Sequence, residues 1–392
     1  MTKNTHLNVT ESWLNPENLS SSSQPDDPLG IDEVDHVEFL VGNARQACHY
    51  YCSAFGFSPI AYRGPETGYR DAASYVINQN KVYFVLTTPL RPNHPYAARI
   101  STHGDSVKSI ALRVTSCEHF YYQTMKNGAV SAEIPTLLSD ENGEVKRAAI
   151  QTYGDTEHTI IERTGYSGAF LPGFVEYDEI FPSFPKIGDE VGLLRVDHIV
   201  GNVELGSMNR WVDYYERVLE FQQMTHFSDE DISTEYSALM SKVMRNGNNK
   251  IKFPINEPAQ GKRKSQIEEY LDFHCGPGVQ HVALLTGDII HTVRALRSRG
   301  VQFLEVPRTY YDDLDKRIGK IAESFDAIAE LGILADRDDD GYLLQLFTKP
   351  VQDRPTVFFE VIQRKGSQGF GVGNFKALFE AIEREQAKRG NL

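Results

Sequence analysis

The chain has 392 residues, 40% of them hydrophobic and 24% charged, with 19 Tyr, 21 Phe and a formal net charge of -14. At roughly 150 residues per domain this length suits two or three domains, and the composition excludes disorder over most of the chain. The acidic balance argues against nucleic acid or an anionic membrane surface as partner, because both are bound through excess Lys and Arg. Residues 1–29 contain NLSSSSQPDDPLG, rich in Ser, Pro and Asp, and are expected to form a mobile tail. They hold no apolar run of signal-peptide type, and no stretch of the chain is apolar for the roughly 18 residues a membrane helix needs, so a soluble, non-secreted protein is expected. Cys48, Cys52, Cys117 and Cys275 form no CxxC pair and are expected to be reduced thiols.

From Ile31 onward the chain repeats itself. VDHVEFLVGNARQACHYYCSAFGF (residues 34–57) reads as a strand, a turn and a helix, and VDHIVGNVELGSMNRWVDYYERVLEF (196–221) reads the same way. GDSVKSIAL (104–112) leads into the amphipathic CEHFYYQTMKNG, as GPGVQHVAL (276–284) leads into DIIHTVRALRSRG. TIIER (159–163) is matched by EVIQR (360–364). The three pairs keep their order, so each half is expected to hold two β-α-β-β-β units. The predicted class is α+β, with two tandem open half-barrels, helices outside, and a hollow for the site. The expected divisions are an N-terminal domain over residues 30–164, a linker dense in Gly and Pro over 165–192, and a C-terminal domain over 193–392.

Within TVFFEVIQR (356–364) an acid stands in an apolar strand. Glu360 shares a face with Phe358 and Ile362, while Val357, Phe359 and Val361 line the other. An unpaired carboxylate there costs several kcal/mol, so a cation must hold it, either a metal ion or a buried Arg or Lys. The repeat favours the metal. The first-strand histidine occurs twice, as His36 and His198, but Ser109 stands opposite His281 and Thr159 opposite Glu360. Only the C-terminal half carries His198, His281 and Glu360 together. Two imidazoles and a carboxylate that leave open positions are the ligand set of non-haem Fe(II) oxygenases. His36, lacking partners, is expected to be structural.

RVDHIVGN, FPINEPAQGKRKSQIEEYLDFHCGPGVQHVAL, GYLLQLFTKPVQDRPTVFFEVIQR and QGFGVGNFKALFEAIEREQAKRGNL resemble the 4-hydroxyphenylpyruvate dioxygenase family over nearly all of residues 190–392, and more loosely from about residue 31. The resemblance implies the vicinal oxygen chelate fold shared with extradiol dioxygenases and glyoxalase, and one Fe(II) per chain on His198, His281 and Glu360. It implies conversion of 4-hydroxyphenylpyruvate and O2 to homogentisate and CO2 in tyrosine and phenylalanine catabolism, by a cytoplasmic homodimer. Because the substrate is itself an α-keto acid able to chelate iron, no 2-oxoglutarate is required. Position by position, Ser241, Asn256 and Gln266 match polar residues near the phenol end, and Gln280 and Gln345 match pocket glutamines. Phe347, Phe358, Phe370 and Phe375 match the aromatic walls, with Asn374 beside them. Strict alternation puts Gln345 and Phe347 on one face, but turns Gln280 away from the face of His281. Alternatives are 4-hydroxymandelate synthase, which oxidises the benzylic carbon of the same substrate, an extradiol ring-cleaving enzyme, and a catalytically silent binding protein. After Gly369, Gly371 and Gly373, a helix with Asn374 as N-cap and Gly390 as stop is expected, placing Phe375, Leu378, Phe379 and Ile382 on one apolar face. That face is expected to form a lid over the hollow.

Overall fold

The computed structural model describes residues 27–182, 189–227, 238–259 and 264–391. Most of the expected tail, residues 1–26, lies outside them. The end of that stretch is packed: Leu29 is buried, and Asp27 accepts from the amides of Asn246 at 2.9 Å and Asn248 at 2.8 Å.

In chain order the first half runs β1 (Ile31–Leu40), α1 (Ala44–Phe55), β2 (Ser58–Arg63), β3 (Ala72–Gln79), β4 (Val82–Pro89), α2 (Pro95–His103), β5 (Ser106–Val114), α3 (Cys117–Lys126), β6 (Ser131–Asp140), β7 (Gly143–Gln151) and β8 (Glu157–Glu162). The connection holds β9 (Val175–Glu176) and α4 (Tyr177–Ile180). The second half runs β10 (Leu193–Asn202), α5 (Met208–Leu219), β11 (Gln222–Phe227), β12 (Ala238–Arg245), β13 (Lys252–Ala259), α6 (Gln266–His274), β14 (Gly278–Thr286), α7 (Ile289–Ser298), α8 (Leu314–Ile318), α9 (Phe325–Leu331), β15 (Leu334–Asp338), β16 (Gly341–Phe347), β17 (Phe358–Lys365) and α10 (Phe375–Lys388).

The strands form two curled sheets, ordered β6-β7-β8-β5-β1-β4-β3-β2-β9 and β11-β12-β13-β10-β14-β17-β16-β15. Read from β2 to β6, the first matches the second strand for strand, and β9 is an addition from the connection. Within each unit the first strand pairs in parallel with the last, β1 with β4, β5 with β8, β10 with β13 and β14 with β17. The first strands of the two units pair antiparallel, β1 with β5 and β10 with β14. The expected α+β class, with two open half-barrels of β-α-β-β-β units, is what the chain adopts.

Local chemistry explains where the helices stop. α1 is capped by Asn43, which accepts from the backbone N–H of Gln46, and ends where Gly56 takes a left-handed conformation at φ 72°. At the matching end of α5 stands Glu220, left-handed at φ 56° without being glycine, which costs roughly 1 kcal/mol. Its carboxylate accepts from Gln123 and Asn127 at the end of α3, so the side chain that strains the turn also ties the two halves together. The connection is held as well, since Gln79 Oε1 accepts from the backbone N–H of Val191, Gly192 and Leu193 at 3.1, 3.0 and 2.8 Å.

The two faces of β17 meet different surroundings. Phe359 is fully buried against the first half, its ring centroid 5.3 Å from Phe55, 5.7 Å from Phe84 and 5.8 Å from Tyr51. Burying it contributes about 2–3 kcal/mol and fixes the strand, which turns Glu360 into the second half-barrel. All four cysteines are free, three buried and Cys275 exposed. Among the described residues no helix is long and apolar enough to cross a membrane.

Candidate active site and metal centre

His198 on β10, His281 on β14 and Glu360 on β17 come together in the second half-barrel, with ligand atoms all within 4.8 Å of one another and every side chain buried. Glu360 Oε2 lies 3.0 Å from His198 Nε2 and 3.4 Å from His281 Nε2. No Arg or Lys forms an ion pair with this carboxylate among the described residues. Its close partners are the two imidazoles, and the three side chains together could hold a metal ion. Burial opposes the charge on Glu360, but His198 and then His281 outweigh it and hold the carboxyl down at about 2. Burial also opposes charge on the imidazoles; Glu360 and Asp197 override it at His198, whereas at His281 it prevails.

Both imidazoles are held from behind. His198 Nδ1–H donates to Asp197 Oδ2 at 2.8 Å, and His281 Nδ1–H donates to Gln280 Oε1 at 3.0 Å, so the Nε2 atoms face Glu360. Such outer partners set tautomer and ring angle for a metal. Asp197 is itself clasped by Arg364, Nε to Oδ1 at 2.9 Å and Nη2 to Oδ2 at 2.7 Å. Despite its burial, His198 and Arg364 keep this carboxylate well below the usual range. Arg364 Nη1 also donates to the carbonyl of Gly369 at 2.6 Å, and Phe370 lies edge-on to His198 at 5.1 Å.

Neighbouring residues reach the same site through two β-bulges. Val196 pairs with Leu284 and His198 with Ala283, which leaves Asp197 as the extra residue on β10. Val200 pairs with His281 and Gly201 with Val279, which leaves Gln280 as the extra residue on β14. A bulge breaks alternation, so the expectation that Gln280 turns away from His281 is corrected: both line one cavity.

That cavity is lined by the three candidate ligands and by Ser241, Asn256, Gln266, Gln280, Phe347, Phe358, Phe370 and Phe375. Ser241 and Asn256 face each other across β12 and β13, and Gln266 opens α6 behind the capping box of Ser265 and Glu268. Phe358 stacks on His281 at 4.8 Å and Phe347 meets the same ring edge-on at 5.9 Å. Two residues lie elsewhere. Gln345 is buried beneath the chain at Gly371, where an added Cβ would stand 2.5 Å from its amide nitrogen. Asn374 stands at the N-cap of α10 as expected, but its side-chain oxygen accepts from the Tyr310 hydroxyl at 2.5 Å and makes no capping hydrogen bond to the helix. Gly390 follows the helix with φ 73°. Leu378, Phe379 and Ile382 on α10 line the cavity together with Phe375, so the apolar face of that helix covers it.

Asp197, Arg364 and the apolar residues Leu239, Val243 and Pro254 were not singled out from the sequence. The repeat carried a signal for the first two: Asp precedes His in both VDH stretches, and Arg closes both TIIER and EVIQR. For Leu239 and Val243 the signal was their period-two spacing about Ser241.

Fold and site together define a member of the vicinal oxygen chelate superfamily. The family model described as glyoxalase/bleomycin resistance protein/dioxygenase superfamily matches residues 195–346, and that described as hydroxyphenylpyruvate dioxygenase, N-terminal, matches residues 25–174. The 4-hydroxyphenylpyruvate dioxygenase of Yarrowia lipolytica is 50% identical over 366 residues, covering 91% of this chain and 93% of that one. That of Aspergillus fumigatus is 47% identical over 400 residues, covering 96% and 99%. A solved structure of a triply substituted 4-hydroxymandelate synthase from Streptomyces coelicolor is similar at a TM-score of 0.81 and 32% identity, covering 91% of this chain and 99% of that one. The chain belongs to the 4-hydroxyphenylpyruvate dioxygenase family.

Proposed function

We propose that this chain is a dioxygenase that converts 4-hydroxyphenylpyruvate and O2 to homogentisate and CO2, with one Fe(II) held by His198, His281 and Glu360. The observation that carries the reading is the buried trio itself, a carboxylate whose close partners among the described residues are two imidazoles already oriented through Nδ1. Held by these three residues, iron would supply the activation of O2 and the oxidative decarboxylation of an α-keto acid. The protein's own residues do the rest. Phe347, Phe358, Phe370 and Phe375 hold the aromatic ring and keep water from it, and Ser241, Asn256 and Gln266 offer hydrogen bonds to a phenol. Gln280 orients His281 and also opens onto the cavity, where its amide N–H is available to the substrate. Gln345 and Asn374 act at one remove, Gln345 against the backbone at Gly371 and Asn374 through Tyr310.

α10 is read as a lid, since its apolar face closes the cavity. A division into a metal-free domain over residues 30–164, a linker over 165–192 and a catalytic domain over 193–392 belongs to the same reading, as do a cytoplasmic homodimer and a place in tyrosine and phenylalanine catabolism. The second reading, 4-hydroxymandelate synthesis, is favoured by the likeness to the Streptomyces coelicolor structure. Loading the protein anaerobically with Fe(II) and then adding 4-hydroxyphenylpyruvate and O2 tests both. Homogentisate as the product is expected; 4-hydroxymandelate would establish the alternative, and no turnover by the iron-loaded protein would overturn both.

A further inference from the structure

A second opening lies at the other end of the half-barrel that holds the metal ligands. On β13, Lys252 shares a face with Pro254 and Asn256 of the cavity, and on β17 Arg364 shares a face with Glu360. Both side chains emerge into a cleft of about 630 Å³ between the two halves, within the size range of small-molecule sites, roughly 300–1,000 Å³.

Its charge is opposite to that of the molecule. In a chain of net charge -14, the cleft is lined by five basic residues, Lys81, Arg195, Lys250, Lys252 and Arg364, against Asp32, Glu33 and Asp197. Two of the carboxylates are already engaged, Asp197 by Arg364 and His198, and Glu33 by Lys81 at 3.0 Å and Arg113 at 3.0 Å. Arg364 is engaged in turn by Asp197 and by the carbonyl of Gly369. What remains is Lys252, only 6% exposed, whose ammonium forms no hydrogen bond or ion pair among the described residues, with Arg195 and Lys250 exposed beside it. Asp32 and Asp197 lie in the same lining, but neither pairs with Lys252, and five basic groups against three acids leave the cleft short of negative charge, so a nearly buried ammonium there is costly unless an anion joins it.

We propose that this cleft is an anion-binding site for a small dianion, a phosphate or a dicarboxylate, held by Lys252 and Arg195. No group of the metal centre is needed for it. Burial, and after it the charge of Arg364 with smaller contributions from Arg195 and Arg245, pushes the Lys252 ammonium down to about 8, and Asp197 offsets only part of this. A bound dianion supplies the missing attraction, and Lys252 and Arg195 donate the hydrogen bonds.

The test titrates inorganic phosphate and succinate separately into the iron-loaded full-length protein at constant ionic strength, with chloride as the balancing ion. Heat of binding and the shift in Tm are both recorded. Saturable binding of one anion per chain is expected, and whichever of the two binds names the class. Lys252→Gln and Arg195→Gln should each weaken it at least tenfold, while Lys126→Gln, at an exposed position on α3, should leave it unchanged. Arg195 is exposed, so its variant keeps the test decisive if Lys252→Gln fails to fold. Absence of saturable binding by both anions overturns the proposal. Binding that either folded variant leaves intact also overturns it, since the anion then sits elsewhere, for instance at the iron.

Discussion

The two half-barrels share a scaffold and differ in what they hang on it. In the first, Asp35 bonds His36 Nδ1 at 2.7 Å and is clasped by Arg163 at 2.5 Å and Arg113 at 3.0 Å. In the second, Asp197 bonds His198 and is clasped by Arg364. The bulges recur too, since Lys108 is the extra residue on β5 where Gln280 is the extra residue on β14. The difference lies at two positions. Ser109 and Thr159 satisfy each other across 2.7 Å, whereas His281 and Glu360 leave donor atoms converging with His198. A frame of Asp, His and Arg therefore does not make a metal site. What the second half adds is an imidazole and a carboxylate whose ligand atoms converge with His198, a group that could hold a metal ion.

The sharpest way to break this comparison is to remove from the second half the carboxylate that the first half lacks. Glu360→Ala should abolish iron retention and turnover, because the two imidazoles lose the carboxylate that faces their Nε2 atoms. Metal analysis of the purified variant checks this, and iron at the wild-type level would remove Glu360 from the ligand set. Folding should survive, since no Arg or Lys among the described residues is paired to Glu360 and the two imidazoles can stay neutral once it is gone.

Next in size is Arg364→Gln, which tests whether the shared frame matters once the ligands are present. Asp197 would be left buried with only His198, and breaking such a pair costs about 3–5 kcal/mol. The loss should also reach the metal, since changes behind a ligating histidine typically lower affinity about 10–100-fold. A lowered Tm together with weakened iron binding is expected. A variant with the first effect but not the second would show that Arg364 serves folding alone.

Removing residues 374–392 addresses a part with no counterpart among the described residues of the first half. α10 covers the cavity through Phe375, Leu378, Phe379 and Ile382, and its end is clamped to α6 where Arg389 meets Glu269 at 2.6 Å. The truncated protein should keep its iron but uncouple, consuming more keto acid and O2 than the homogentisate it forms. Unchanged rate and stoichiometry would mean that the helix only packs.

Much of this was legible in the chain because the repeat supplied its own control. Three paired segments placed the strands, and the mismatches at Ser109 and Thr159 marked His281 and Glu360. What could not be read were the departures from regular geometry. Gln280 was turned the wrong way by strict alternation, because a bulge depends on how the partner strand registers and leaves no mark in the strand's own pattern. Asn374 has the chemistry of a cap, but the Tyr310 hydroxyl, 64 residues away in sequence, claims its side-chain oxygen. Local propensity is overruled wherever a distant group arrives with a better bond.

The smallest expected effect is the most informative about the comparison. His36 is buried like His198, and it has the same Asp behind it. If burial and that hydrogen bond were enough to make a ligand, His36 would matter to the metal. In the first half, however, the hydroxyls of Ser109 and Thr159 are spent on each other, and the ring of His36 rests edge-on to Phe170 at 5.1 Å. In His36→Ala, Asp35 keeps both guanidinium partners, so the losses are one hydrogen bond and the packing of one ring, together about 1–3 kcal/mol. Tm should fall by a few degrees, while iron content stays at the wild-type level and kcat stays within about twofold, because nothing at the second half-barrel has moved. Thermal unfolding, metal analysis and turnover measured on one preparation decide it. A soluble, folded His36→Ala protein without iron would mean that the first half-barrel takes part in holding the metal, and the contrast between the two halves would have to be redrawn from Asp35 outward.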